Sequence, residues 1–208
     1  RLETAGGTGP AVRVGRAATL YAQRLTTAGF ATAIAAACGI EPENVRRAVL
    51  AFRAPPHRLE FVARVGGVDY YNDSIATAPE RTLAALRSFQ EPIVLLLGGR
   101  DKNLPLDEML AEARRRCRAV VCFGASGPLL ARAAADARLD VTLVTSLADA
   151  VQAAADLAQP GDVVLLAPAC TSFDAYDNFE QRGADFRRIV AGLAPGAEGP
   201  AAGQRMPS

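Results

Sequence analysis

Four short apolar runs, Ile93–Leu97, Ala119–Phe123, Val141–Val144 and Val163–Leu166, alternate with stretches of helical pattern, and this alternation restricts the fold more than any other feature of the chain. Runs of four or five apolar residues match strands buried on both faces, which occur where helices cover a parallel sheet. The intervening segments Leu106–Cys117, Pro128–Ala137 and Leu147–Leu157 are the expected helical crossovers. Upstream, Leu59–Val65 and Val68–Tyr71 flank Gly66-Gly67, a strong hairpin signal. A helix is predicted from Pro79, with Leu83, Leu86 and Phe89 on its apolar face. A last helix is predicted over about Asp177–Leu193, with Phe179, Phe186 and Ile189 at helical spacing and Glu180, Arg182 and Arg187 facing water.

Ahead of the hairpin the text changes. Residues 1–16 are Gly-rich and carry little pattern, whereas Ala31–Cys38 reads as a small-residue buried helix stopped at Gly39. Glu41-Pro42-Glu43 opens a second helix, with Val45, Ala48, Val49 and Phe52 at helical spacing, and Ala54-Pro55-Pro56 breaks it. The expected architecture is α/β: a Rossmann-like, mostly parallel sheet with an N-terminal β-hairpin strand pair over 55–194, preceded over 1–54 by a short helical remnant of another domain. The Gly-, Ala- and Pro-rich tail, 195–208, is expected to be disordered.

A chain of 208 residues with 50% hydrophobic content and mean hydropathy +0.11 has ample material for a core. Its 23 basic and 22 acidic residues are interspersed and leave a formal charge of +1, so no footprint for nucleic acid or an anionic membrane exists. No apolar run approaches the roughly 20 residues of a membrane helix, and no signal-peptide order is seen, so a cytoplasmic location is expected. Cys38, Cys117, Cys122 and Cys170 form no Cys-x-x-Cys pair, and a single histidine leaves no zinc set, so reduced thiols used as small buried residues are expected. Arg1 in place of an initiator methionine points to a fragment or a processed chain.

In a doubly wound sheet the loops at the carboxyl ends of the strands converge on one rim, where ligands bind. Three such loops carry polar groups. Asn72-Asp73-Ser74-Ile75-Ala76-Thr77-Ala78-Pro79 places Asp73 and Thr77 either as caps of the coming helix or as ligand contacts. Gly98-Gly99-Arg100-Asp101-Lys102 offers glycines that let the backbone approach a ligand, and a lysine point charge for a carboxylate or phosphate. Ala167 to Gly183 leaves the last strand with Ser172 and its neighbours presenting hydroxyl and N–H groups to an anion. His57, without a nucleophile or metal partner nearby in sequence, reads as structural, whereas the guanidinium of Arg58 at the domain boundary is suited to clamp a nucleotide.

Taken in order, His57-Arg58-Leu59-Glu60, Asn72-Asp73-Ser74 with Ala76-Thr77, Gly98-Gly99 with Lys102, and Ala169-Cys170-Thr171-Ser172-Phe173-Asp174 with Asn178-Phe179-Glu180-Gln181-Arg182-Gly183 resemble the Mur ligase family, most closely its D-glutamate-adding members. The resemblance covers about residues 31–193. It implies an ATP-dependent amide ligase of peptidoglycan synthesis that adds D-glutamate to UDP-N-acetylmuramoyl-L-alanine through an acyl phosphate, and it ties the chain to cell-wall formation and cell division. By the same resemblance 1–54 is the end of a central ATPase domain and 55–194 the C-terminal domain that brings the amino acid. Thr77, Lys102, Ser172 and Phe179 would hold the D-glutamate carboxylates, and Arg58 and Asp73 would contact ATP, with ATP and Mg2+ held mainly by a central domain outside this chain. No metal ligand and no catalytic residue is assigned, and a monomer is expected.

Three departures from the family pattern stand out. No Gly-x-x-x-x-Gly-Lys-Ser/Thr loop occurs, so the chain by itself is not expected to be a competent ligase. Ile75 stands where many members carry lysine in an Asp-Ser-Lys-Ala-Thr pattern, which removes a positive charge beside the expected substrate site. The family's Gly-x-His-Asn motif would fall near Gly15-Arg16-Ala17-Ala18, where histidine and asparagine are missing. Two other readings compete: the C-terminal domain of another Mur or folylpolyglutamate-type ligase, and a non-catalytic flavodoxin-like binding domain.

Overall fold

The computed structural model describes residue 31 and residues 33–51 and 55–193. The Gly-rich opening, Gly15 to Ala18, Phe52, Ala54, the side chain of Val49 and the tail from Pro195 lie outside the described residues. The chain divides into two compact units, Arg1–Ala51 and Phe52–Ser208.

In the first unit residues 33–37 (α1) are helical and stop at a turn where Gly39 takes φ +73°, a left-handed stop that costs glycine no Cβ clash. Pro42–Ala51 (α2) begins with Pro42 and carries Glu43 in its first turn, both suited to a helix N-terminus. The burial expected of the small-residue helix is not found. Ile34 is 65% exposed, and Cys38 is exposed rather than buried. Alanine side chains cover little area, so two short helices of this composition bury little against each other.

The second unit is a six-stranded sheet in the order β1-β2-β6-β3-β4-β5. Its strands are Glu60–Val65 (β1), Val68–Asn72 (β2), Ile93–Gly98 (β3), Cys117–Phe123 (β4), Val141–Leu143 (β5) and Val163–Ala169 (β6). Its helices are Pro79–Leu86 (α3), Asp107–Arg116 (α4), Gly127–Asp136 (α5), Leu147–Leu157 (α6) and Phe179–Leu193 (α7). The β1–β2 pair is antiparallel and every other pairing is parallel. At the hairpin Gly66 and Gly67 take φ +58° and +81°, the two positive values that a two-residue turn joining twisted strands requires.

Right-handed crossovers decide which face each helix covers. From β2 through β3 and β4 to β5 the chain advances one way across the sheet, so α3, α4 and α5 share a face. The return from β5 to β6 reverses direction and puts α6 on the other, where α7 joins it. That second face packs Val94, Leu96, Val121, Val164 and Leu166 against Val151 and Ala154 of α6 and Phe186 and Val190 of α7. All residues of β3 and β6 are buried, as their unbroken apolar runs require. Ser146 and Asp149 form a reciprocal capping box at the start of α6, an arrangement worth about 1 kcal/mol.

One helix is shorter than its periodicity predicts. α3 ends at Leu86, so Phe89 lies beyond it, buried all the same and 4.9 Å from the Tyr71 ring. The Ser88 hydroxyl turns back onto the Ala84 carbonyl at 3.0 Å, a local bond that competes with helix continuation. The cysteines are free thiols. Cys122 and Cys170 are buried and Cys117 half-buried, and burial pushes all three up to about 12. Among the described residues no helix is long and apolar enough to cross a membrane.

Candidate functional site

The rim is built from the loops leaving β2 (73–78), β3 (99–106), β4 (124–126) and β6 (170–178), and backbone bonds stitch them together. Asp73 N–H donates to Leu166 O, and Ala169 N–H to Ala76 O, joining the first loop to β6. Arg100 and Thr171 exchange two backbone bonds of 2.9 and 3.0 Å, and Ser126 N–H reaches Gly99 O. Ala169 takes φ +60°. A left-handed alanine is strained by about 1–2 kcal/mol, and here it swings Cys170 and Thr171 out of the strand line toward the β3 loop.

Lys102 and Thr77, expected to act together, do meet: Lys102 Nζ donates to Thr77 Oγ1 at 3.3 Å. Lys102 is exposed and Thr77 half-buried, so a ligand has access to both. Ser172 is buried at the mouth of the third loop, and its carbonyl accepts from Ala175 and Tyr176 N–H. Phe179 is half-buried; its carbonyl accepts the Ser74 hydroxyl at 2.8 Å and its ring meets His57 edge-on at 6.4 Å. Ile75 is half-buried, with its N–H on His57 O at 3.2 Å.

Neither Asp73 nor Thr77 caps α3, whose N-cap Ala78 receives no side-chain bond. The Asp73 carboxylate is instead the acceptor for Leu59 N–H at 3.0 Å. It thereby pins a turn in which His57 and Leu59 take φ +60° and +43°. Burial raises Asp73 from 3.8 to about 6, against the Leu59 N–H, Arg58 and Arg81, which pull it down. Arg58 itself is exposed on the same corner. His57 is structural: it is 5% exposed, with Nδ1 2.9 Å from Asn72 Nδ2, and burial followed by the Arg187 charge holds it below its ordinary value.

The close approach allowed by Gly98 and Gly99 is made to protein. A Cβ on Gly98 would lie 2.3 Å from Phe123 O, and one on Gly99 2.0 Å from Thr171 O. The larger surprise is Arg182. Expected to face water, it is fully buried, with Nε on Ser74 Oγ at 3.0 Å, Nη2 on Ser74 O at 3.0 Å and Cys170 O at 3.1 Å, and Nη1 on Thr171 O at 3.2 Å and Gly98 O at 3.3 Å. Burial lowers it to about 10, so it is charged at neutral pH. Its spacing did carry the signal, because Arg182, Phe186 and Val190 form one i, i+4, i+8 stripe. Asp174, another unanticipated contributor, accepts Ala125 N–H at 3.0 Å and so ties the last loop to the β4 loop.

The rim offers an accessible cation beside a hydroxyl, and the loops that carry them are bonded at their roots to a buried guanidinium; a cation and a hydroxyl together are suited to carboxylates. The chain is similar to several known proteins. The UDP-N-acetylmuramoylalanine–D-glutamate ligase of Roseiflexus sp. (strain RS-1) is 48% identical over 167 residues, which are 77% of this chain and 36% of that protein. The ligase of the same name from Rubrobacter xylanophilus is 46% identical over 171 residues, 81% of this chain and 38% of the relative. The chain therefore spans little more than a third of these relatives. Two solved structures share the fold: a UDP-N-acetylmuramate–alanine ligase from Thermotoga maritima (TM-score 0.59, 14% identity, 82% of this chain and 38% of that one) and MurF from Acinetobacter baumannii (TM-score 0.52, 19% identity, 77% and 37%). The family described as Mur ligase, glutamate ligase domain, matches residues 57–170, from the pinned turn at His57 to Cys170 at the rim, and the chain belongs to the Mur ligase family.

Proposed function

We propose that this chain is the amino-acid-binding part of an ATP-dependent amide ligase of peptidoglycan precursor synthesis, which adds D-glutamate to UDP-N-acetylmuramoyl-L-alanine. The observation that carries the reading is the meeting of Lys102 and Thr77 from separate loops, beside the loop that Ser172 opens. A dicarboxylate needs a cation and hydroxyl or N–H donors at its two ends, and charge-assisted bonds of this kind are the strong ones. In this reading Lys102, Thr77 and Ser172 hold the carboxylates, and Phe179 closes one side. Holding the amine in place for attack is chiefly a proximity effect. Residues 55–194 form the amino-acid-binding domain of a cytoplasmic, monomeric enzyme.

The described residues fit ATP in part. Exposed Arg58 suits a nucleotide contact at the rim's corner, and Asp73 beside it supplies an oxygen when ionised. Among the described residues no three His, Cys, Asp or Glu side chains converge, and in this reading Mg2+ and the phosphates are held mainly by another part of the protein. When bound, ATP supplies the phosphoryl group that activates the muramoyl-alanine carboxylate. An NMR amide titration tests the reading. D-glutamate, but not L-glutamate, is expected to shift the amides around Thr77, Lys102 and Ser172; no response, or an equal response to both isomers, counts against it.

A further inference from the structure

Arg182 uses all five of its N–H donors, and every acceptor is uncharged: the hydroxyl and carbonyl of Ser74 and the carbonyls of Gly98, Cys170 and Thr171. A guanidinium so fully removed from water is ordinarily held by a carboxylate. Among the described residues Arg182 forms no ion pair. Asp174 acts on it electrostatically, yet its carboxylate accepts Ala125 N–H. The acceptors sit at the roots of three loops, the ones that carry Thr77, Lys102 and Ser172. Ser74 passes the constraint on, because the hydroxyl that accepts from Arg182 donates to Phe179 O. Crowding enforces the arrangement, since a Cβ on Gly99 would lie 3.0 Å from Arg182 Nη1.

We propose that Arg182 is the positioning residue of the rim: it fixes three loops at one mutual spacing and directs a buried, unpaired positive charge toward the carboxylates that the rim binds. The staple follows from the hydrogen bonds alone, and the charge role rests on the amino-acid reading above. Arginine is needed for both. Lysine keeps the charge but has three donors on one nitrogen and lacks the planar fork that reaches acceptors in several directions.

The test uses the full chain and the variants Arg182→Lys, Arg182→Met and Ser74→Ala. Amide hydrogen exchange in Arg182→Lys is expected to speed up about tenfold or more at 73–78, 98–102 and 170–174 together, with β4 and β5 unchanged. Ser74→Ala removes one acceptor and should loosen 73–78 and 170–174 about threefold. Unchanged exchange in the folded variants, or loosening confined to 170–178, overturns the staple; if both Arg182 variants fail to fold, Ser74→Ala decides. Titrations with D-glutamate and D-glutamine then read the charge, because a loosened rim weakens both ligands alike. Arg182→Met should weaken D-glutamate about tenfold more than D-glutamine, and Arg182→Lys should restore the ratio; equal losses overturn the charge role. A wild-type chain that ignores both amino acids refutes the proposed function and the charge role with it, while the exchange result still judges the staple.

Discussion

Replacing Gly183 by alanine sets two well-known effects against each other. Helix propensity favours alanine over glycine by about 1 kcal/mol, and Gly183 lies inside α7. A Cβ there would, however, lie 2.2 Å from His57 Nδ1 and 2.8 and 2.9 Å from Cγ and Cε1. His57 has little room to retreat: its ring is buried against Asn72, its N–H is on Glu60 Oε2 at 2.9 Å, and its carbonyl accepts Ile75 N–H. Overpacking a core site costs about 1–3 kcal/mol, and breaking the His57–Asn72 bond adds about 1 kcal/mol. Gly183→Ala should therefore be destabilised by about 1–3 kcal/mol net, a fall in Tm of about 3–10 °C for a domain of this size. Urea and thermal unfolding of the wild type, Gly183→Ala, His57→Ala and the double variant close a cycle. With the ring removed, the alanine should cost nothing and add its helical preference, so the double variant should be at least as stable as His57→Ala. A Gly183→Ala protein that melts above the wild type would refute the packing argument.

The remaining predictions concern charge, ligand and thiols. Asp73 is raised from 3.8 to about 6 by burial, so its contribution to stability is fully present below pH 3.8 and is lost as pH rises through 6, about 3 kcal/mol in all. Asp73→Asn keeps an acceptor for Leu59 N–H and should gain on the wild type between pH 4 and 6, a difference that then levels off; parallel pH–stability curves would contradict this. Lys102→Ala and Ser172→Ala should each weaken D-glutamate at least about tenfold by calorimetry with unchanged far-UV circular dichroism, and full affinity in both would remove these residues from the site. Cys38, which is exposed, should react quickly with a thiol reagent in the native chain, whereas Cys117, Cys122 and Cys170 should label only on unfolding, as peptide mass mapping would show.

How far the sequence could be read depended on whether each signal was local. The hairpin was legible because Gly66-Gly67 admits one turn geometry, and α6 because its apolar period runs unbroken over Leu147–Leu157 behind the capping Ser146. β6 runs past Leu166 to Ala169 although Pro168 lies within it, and a proline inside an apolar run argues against a strand. The meeting of Lys102 with Thr77 was expected from the family resemblance alone. The burial of Arg182 was not, because an arginine ordinarily faces water and only its place on the stripe with Phe186 and Val190 points inward. What satisfies a buried guanidinium is a set of carbonyls from loops remote in sequence, and only the folded topology brings those together. The exposure of Ile34 and Cys38 was equally hidden, since periodicity marks an apolar face without saying what covers it.

The central place of β6 also sets the order in which the sheet can assemble. β2 pairs with β6 through Asp69 and Val163, and β3 pairs with β6 on its other side, so no strand pairing joins the hairpin to β3–β4–β5 until the last strand arrives. A chain emerging from the ribosome thus holds two open edges apart until Val163 and the residues after it are made, and joins them late, by contacts of long sequence separation that form slowly. Until then those two edges are the surfaces a chaperone would have to shield.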